Sequence, residues 1–234
     1  MRSKKDVQIE IYWINLSSRK DKAAHSSQQL RHIDLKANQI VAIDRKQVGK
    51  LIGTANQHYF QGVVACKRSH FKAYKLFLQS ENHFACILED DFVLSKECTT
   101  DLFYDLVGNM TKRQINFLQI GFLPFGYSIR GYPNYVLRII RFPISYLTNT
   151  VRKFLGDMPM VHGKIKPGSH AYIIDRDTAK YLLSESKHNL KLPLDLWLSD
   201  LGGKQIFAPQ KIFFSRLRKS IVAQAEDFKS DLQN

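Results

Sequence analysis

Three acids in a row are the residues best placed to do chemistry. Glu89, Asp90 and Asp91 follow the uncharged run Phe84-Ala-Cys-Ile-Leu88 without a break. Adjacent carboxylates repel one another unless a cation or hydrogen-bond donors compensate. Oxygen ligands of this kind suit Mg2+ or Mn2+, which bind through one or two carboxylates plus substrate phosphates. From the acids alone two readings stand open, a metal–diphosphate site and a solvated acidic turn. A further acid, Asp195, sits between Leu194 and Leu196 just after Pro193. In so apolar a stretch it needs a partner or a task, and capping a helix is one such task.

Other residues gather at expected element ends. Asn15 and Arg19 flank the carboxyl end of a first strand, where a guanidinium can pair with a phosphate. Ser69 and His70 are expected near a helix start, where backbone N–H groups favour anions; a hydrogen-bonded structural histidine is the alternative. Gly168, Ser169 and His170 lead into another strand, and a glycine there permits close approach of backbone to a ligand. Cys66 is read as a small core residue.

The elements that must position these groups alternate between strand and helix. The apolar run before the acids fits a strand buried on both faces, which puts the acids at its carboxyl end, where ligand crevices of open α/β sheets lie. Along an extended chain Glu89 and Asp91 would point one way and Asp90 the other. Val7–Ile14 reads as the first strand, with Ser17 or Ser18 capping the helix that follows, and Gln39–Ile43 as the second strand, a βαβ opening. Lys46–Gln61 reads as a loop, and Gly62 opens the next helix. Thr99 or Thr100 caps a short helix closed by Gly108, ahead of a strand at Ile115–Ile120. Ala171–Ile174 reads as a strand whose neighbour Asp175 caps a helix, Pro193–Leu198 as a short helix, and Gln205–Ala208 as a last strand. The stretch at about 122–160 is an aromatic, basic insert. The tail from about 211 to 234 is basic and turns polar after Ile221.

Composition bounds the class. The 234 residues, 44% of them hydrophobic, suit a single α/β domain with a substantial core. The net charge of +14 calls for anionic partners. Cys66, Cys86 and Cys98 are odd in number and lack paired ligand spacing, which speaks against a disulfide framework and a zinc site and suits a reducing compartment. No stretch approaches the roughly 20 apolar residues of a spanning helix. A cytoplasmic protein is expected, with the basic insert and tail lying on an anionic membrane face. Nucleic acid is the disfavoured partner, because three carboxylates would repel its phosphates. A protein that keeps this fold but only binds its ligand, without catalysis, is a further alternative.

Taken in order, Ile14-Asn-Leu-x-x-Arg-x-Asp21, Ala42-Ile-Asp44, Gly62-x-x-x-Cys-x-x-Ser-His70, Ile87-Leu-Glu-Asp-Asp91, Ser169-x-Ala-Tyr-Ile173 and Pro193-Leu-Asp195 resemble glycosyltransferase family 25. These are the lipooligosaccharide galactosyltransferases and their collagen-modifying relatives. The resemblance runs from about Ile11 to Pro209. It implies a GT-A-like, Rossmann-type domain with a mixed, mostly parallel sheet. It also implies a UDP-sugar donor, usually UDP-galactose, a divalent metal (Mn2+ or Mg2+), a glycan or glycolipid acceptor, and inversion at the anomeric carbon. On that resemblance Asp91 coordinates the metal directly with Glu89 as its second ligand, and Glu89 or Asp90 acts through water or holds the ribose. Asn15, Arg19, Ser69 and His70 complete the donor site. Gly168, Ser169 and His170 meet the acceptor or the donor sugar. Asp195 is the general base that takes the acceptor proton.

Overall fold

The computed structural model describes residues 8–49, 56–122, 160–162, 165–166, 168, 170–187, 190–204, 212–217 and 220–224. Among the described residues nine strands form one sheet: β1 (Ile9–Asn15), β2 (Ala37–Val41), β3 (Phe84–Glu89), β4 (Phe92–Leu94), β5 (Phe117–Gly121), β6 (Met160–His162), β7 (Ala171–Asp175), β8 (Phe214–Leu217) and β9 (Val222–Gln224). The described residues also form five α-helices: α1 (Lys20–Leu30), α2 (Gln57–Gln79), α3 (Thr100–Lys112), α4 (Arg176–Ser184) and α5 (Leu194–Lys204). The strand order is β2-β1-β3-β7-β5-β8-β6, with β9 pairing β4 and β5. Pairings to β1 and β5 set β1, β2, β3, β5, β8 and β9 in one direction, while β4, β6 and β7 oppose them. The α/β class with a mixed, mostly parallel sheet therefore stands.

Side-chain alternation splits the core into two layers. Ile11 and Trp13 of β1, with Cys86 and Leu88 of β3, pack against Phe103, Leu106 and Met110 of α3. Tyr12, Ile14, Ala85 and Ile87 face the opposite way, onto Tyr74 and Phe77 of α2, Leu182 of α4 and Trp197 of α5. Both faces of β1 and β3 are covered, which is why their sequences read as continuous apolar runs.

Several boundaries differ from expectation for local reasons. The loop expected at Lys46–Gln61 is shorter than that, because α2 starts at Gln57 rather than Gly62, and the Asn56 side chain caps it by accepting from the Tyr59 amide. Ser17 and Ser18 do not cap α1; Arg19 occupies that position without a side-chain cap bond. Gly108 does not close α3. The helix runs to Lys112, and Gln114 takes the left-handed conformation (φ 55°) in its place. The amides of Gln114 and Ile115 then donate to the carbonyls of Thr111 and Met110, the paired bonds of a Schellman ending. Val222–Gln224 of the tail form β9, which pairs with β4, and residues 225–234 lie outside the described residues. The expected strand at 205–208, Ser169, and all but the ends of the 122–160 insert lie outside the described residues. Among the described residues no helix is long and apolar enough to cross a membrane.

Strand β7 is locked to α2 by its successor, Arg176. Its guanidinium donates to the carbonyls of Ser80 (2.7 Å), Leu78 (2.8 Å), Asn82 (3.2 Å) and Phe77 (3.4 Å). These are carbonyls at or just past the end of α2, which the helix itself leaves unpaired or strained. Arg176→Met is expected to lower unfolding stability by about 2 kcal/mol, the scale of charge-assisted hydrogen bonds. A urea titration should show this as a lower midpoint at an unchanged slope.

Candidate functional site

Strand β3 delivers its acids to two different neighbours. Alternation sends Glu89 to the α2 face and Asp90 to the α1 face, as expected. Asp91 departs from expectation: residues 90 and 91 form a turn into β4, which ends the extended geometry. Asp90 and Asp91 consequently share one cation. The buried Lys22 ammonium of α1 lies 3.0 Å from Asp90 Oδ1 and 3.8 Å from Asp91 Oδ2. One helical turn on, Ser26 donates to the Asp90 carbonyl at 3.1 Å. Gln224 of β9 donates to Asp91 Oδ2 at 2.9 Å. The other oxygen, Asp91 Oδ1, is buried without a hydrogen-bond partner among the described residues. Sequence reasoning missed Lys22 and Gln224. Each looks like an ordinary polar surface residue until tertiary packing buries it or sets it against the acid.

Burial and crowding appear in the proton affinities. Burial pushes the Asp90 carboxyl up to about 6, against the pull of Lys22. Asp91 is also raised, by burial and then by the charge of Glu89. Glu89 goes the other way: burial raises it, but the hydrogen bond and charge of His70, helped by His170 and Lys22, carry it below the ordinary value.

On the α2 face, His70 and Cys66 stand one helical turn apart. His70 is 1% exposed. Its Nδ1 lies 2.7 Å from the Tyr172 hydroxyl, which is itself hydrogen-bonded to the Tyr74 hydroxyl. Its Nε2 points towards Glu89, 3.5 Å from Oε1. Neither Ser69 nor His70 begins a helix; both lie deep in the 23-residue α2, whose amides are spent on the helix ladder, so the anion-binding rationale does not apply to them. The Ser69 hydroxyl accepts from the Ile43 amide and donates to the Ala65 carbonyl, both at 2.8 Å, tying the segment after β2 to α2.

Asn15 ends β1 beside this corner, since its neighbour Ile14 pairs with Glu89. It is 1% exposed, donates to the Leu16 carbonyl at 2.8 Å, and leaves Oδ1 buried without a partner among the described residues. Arg19 lies at the same end, but its guanidinium grips Asp21 through Nε (3.0 Å) and Nη2 (2.7 Å), which holds the Asp21 carboxyl down to about 2.

A second wall comes from β7, β5 and α5. The His170 carbonyl accepts from the Glu89 amide at 2.9 Å. Its ring Nε2 lies 3.2 Å from the Val222 carbonyl, which can only accept, so Nε2 carries the proton and the buried Nδ1 is left unpartnered. Gly121 makes room for that ring: a Cβ there would meet Ala171 Cβ at 2.7 Å and His170 Nε2 at 2.8 Å. Buried Gln119 exchanges two bonds with the Lys166 backbone (2.8 and 2.9 Å) and so fixes the approach to Gly168. Gly168 adopts φ 83°, a conformation natural to glycine. Its amide donates to Asp195 Oδ2 at 3.2 Å, and the Leu196 amide to Oδ1 at 2.9 Å. Burial pushes the Cys66 thiol well up, and the charges of Glu89, Asp195 and Asp91 add to the effect, so all three acids lie within electrostatic reach of one thiol. Asn15, His70, Glu89, Asp91, Gly168, His170 and Asp195 are thus brought together. Ser69 serves the scaffold and Arg19 is engaged at the rim.

The family model for glycosyltransferase family 25 (LPS biosynthesis protein) matches residues 8–198. No curated protein matches in sequence. Among solved structures, A197 from STIV is similar at 10% identity and TM-score 0.47, covering 92% of this chain and 83% of that one. A glycosyltransferase involved in glycosylation of the major capsid of PBCV-1 is similar at 9% identity and TM-score 0.37, with 78% and 68% covered. S. aureus TarS 1-349 in complex with UDP-GlcNAc gives 11% identity and TM-score 0.44, with 97% and 61% covered.

The acid corner has a consequence for pH. The folded protein holds a proton on Asp90 between the ordinary value of 3.8 and about 6, where the unfolded chain has released it. The Asp90 contribution to stability is therefore largest below that window and falls as pH rises through it. Asp90→Asn should flatten this slope in metal-free buffer. The difference between wild-type and variant urea midpoints across pH 4 to 7 measures it, and the variant should gain on wild type towards neutrality.

Proposed function

The chain belongs to glycosyltransferase family 25, and from that premise we propose that it is a metal-dependent, inverting transferase. It moves galactose from UDP-galactose to a glycan acceptor such as lipooligosaccharide. One observation carries the reading: Asp91 Oδ1 is buried, unpartnered and beside two further acids, while Lys22 and Gln224 hold the rest of the carboxylate pair in place. An oxygen in that condition fits a divalent ion. With Asp91 and Glu89 as its ligands, Mn2+ or Mg2+ supplies the positive charge that stabilises the departing diphosphate.

The chain's own residues do the remainder. Lys22 neutralises Asp90 and part of Asp91, so the corner tolerates its density of negative charge. The bare Oδ1 of Asn15 accepts a hydrogen bond from the donor's nucleoside at the end of β1. Glu89 and Asp90 hold the ribose directly or through water. Gly168, Ser169 and His170 shape the sugar and acceptor side, where the left-handed Gly168 lets backbone approach the ligand. Asp195 is oriented by the amides of Gly168 and Leu196 and takes the acceptor hydroxyl proton as that oxygen attacks. Attack from the face opposite the leaving diphosphate inverts the anomeric carbon. The charge of +14 supports a cytoplasmic enzyme working against an anionic membrane face that presents a lipid-linked acceptor.

A thermal-shift panel of nucleotide sugars with Mn2+, Mg2+ or EDTA tests the donor site. One UDP-sugar should raise the melting temperature only when the ion is present. Asp91→Ala should abolish both the shift and transfer; full turnover in that variant would sink the metal assignment. Asp195→Asn should keep the donor shift while kcat drops about 10²–10⁴-fold, the usual contribution of general-base catalysis.

A further inference from the structure

Cys66, His70 and Glu89 form a cluster that the donor reading leaves without a role for its sulfur and nitrogen. Cys66 and His70 lie at i and i+4 on α2, so both face the end of β3. Sγ, an imidazole nitrogen and a Glu89 carboxylate oxygen all lie within 4.8 Å of one another. The imidazole is fixed from behind. In the tautomer with Nδ1–H donating to the Tyr172 hydroxyl and Tyr172 donating to Tyr74, the buried Nε2, 3.5 Å from Glu89 Oε1, presents a lone pair to the cluster, and an ion there replaces the His70–Glu89 contact. A ligating histidine is commonly held through its other nitrogen in this way. Glu89 is 33% exposed at its side chain and leaves a path from solvent.

We propose that Cys66 Sγ, His70 Nε2 and the Glu89 carboxylate bind a borderline-soft divalent transition ion of the Zn2+ class. The reason is ligand chemistry. A thiolate and an imidazole select against Mg2+ and favour Zn2+, and three protein ligands at four-coordinate Zn2+ leave one position for water or substrate. On binding, the Cys66 thiol gives its proton to solvent. The site shares Glu89 with the donor crevice but does not depend on a sugar nucleotide binding there. The lack of paired-cysteine spacing speaks against zinc in the sequence; the ligands instead come from one helix face and one strand end.

The test is Co2+ titration of the full chain without nucleotide sugar, Co2+ standing in for Zn2+. The expected result is visible bands of tetrahedral Co2+ with a near-ultraviolet thiolate charge-transfer band at one ion per chain. Zn2+ should displace them and excess Mg2+ should not. The charge-transfer band should vanish in Cys66→Ala and persist in Cys98→Ala, with circular dichroism checking that each variant is folded. His70→Gln should abolish tight binding, and Tyr172→Phe should weaken it about 10- to 100-fold. No thiolate band in the wild type, or a band that survives both Cys66→Ala and His70→Gln, overturns the proposal. Because the readout is spectroscopic, that failure leaves the donor reading untouched, and loss of UDP-sugar binding leaves this site untouched.

Discussion

One buried ammonium makes the acid corner possible. Lys22 is 2% exposed and reaches both Asp90 and Asp91. Without it, Asp90 and Asp91 would sit buried beside Glu89 with the Gln224 amide and the more distant His170 to oppose their charge. A lone buried cation would be equally costly, so helix and acids stabilise each other only together. That mutual dependence fixes where α1 sits against β3 and, with Ser26 on the Asp90 carbonyl, the rotation of the helix. Compensation is still incomplete. Two aspartates with elevated proton affinity beside one lysine leave the corner short of positive charge.

The far wall is built by strand insertion. Strand β7 runs antiparallel between β3 and β5 and carries His170 to the same level as Glu89. Gly121 on β5 and the Val222 carbonyl on β9 then define the ring's place and tautomer. Two chemically distinct faces result from a single strand end. The α1 side is an oxygen site held by lysine and glutamine. The α2 side presents sulfur and nitrogen backed by stacked tyrosine and histidine rings. Glu89 lies on the second face and is electrostatically coupled to the first.

Much of this was legible before any coordinates. Uncharged runs bounded by acids located β1 and β3, because strands covered on both faces carry little polar signal. Asp175 and Thr99 announced their helices because side-chain caps are local chemistry. Signals failed where the deciding contact was distant. Lys22 reads as a first-turn helix cation, and only the approach of β3 buries it. Gln224 reads as polar tail, and only pairing with β4 makes it an acid partner. Gly108 reads as a helix stop, yet Met110 continues the apolar stripe and is worth more than the glycine costs. Ser69 and His70 lie mid-helix rather than at an amide-rich end, because α2 begins well before them at Gln57.

The bond from Gln224 to Asp91 spans 133 positions of the chain. A ribosome therefore completes the oxygen site in two instalments. Strands β1 to β3 and α1 can settle early, with Lys22 already among the acids. The second donor to Asp91 and the carbonyl that orients His170 both arrive with β9, after the rest of the sheet has emerged. A nascent chain would carry its acid corner before the residues that complete Asp91 and orient His170 have been made.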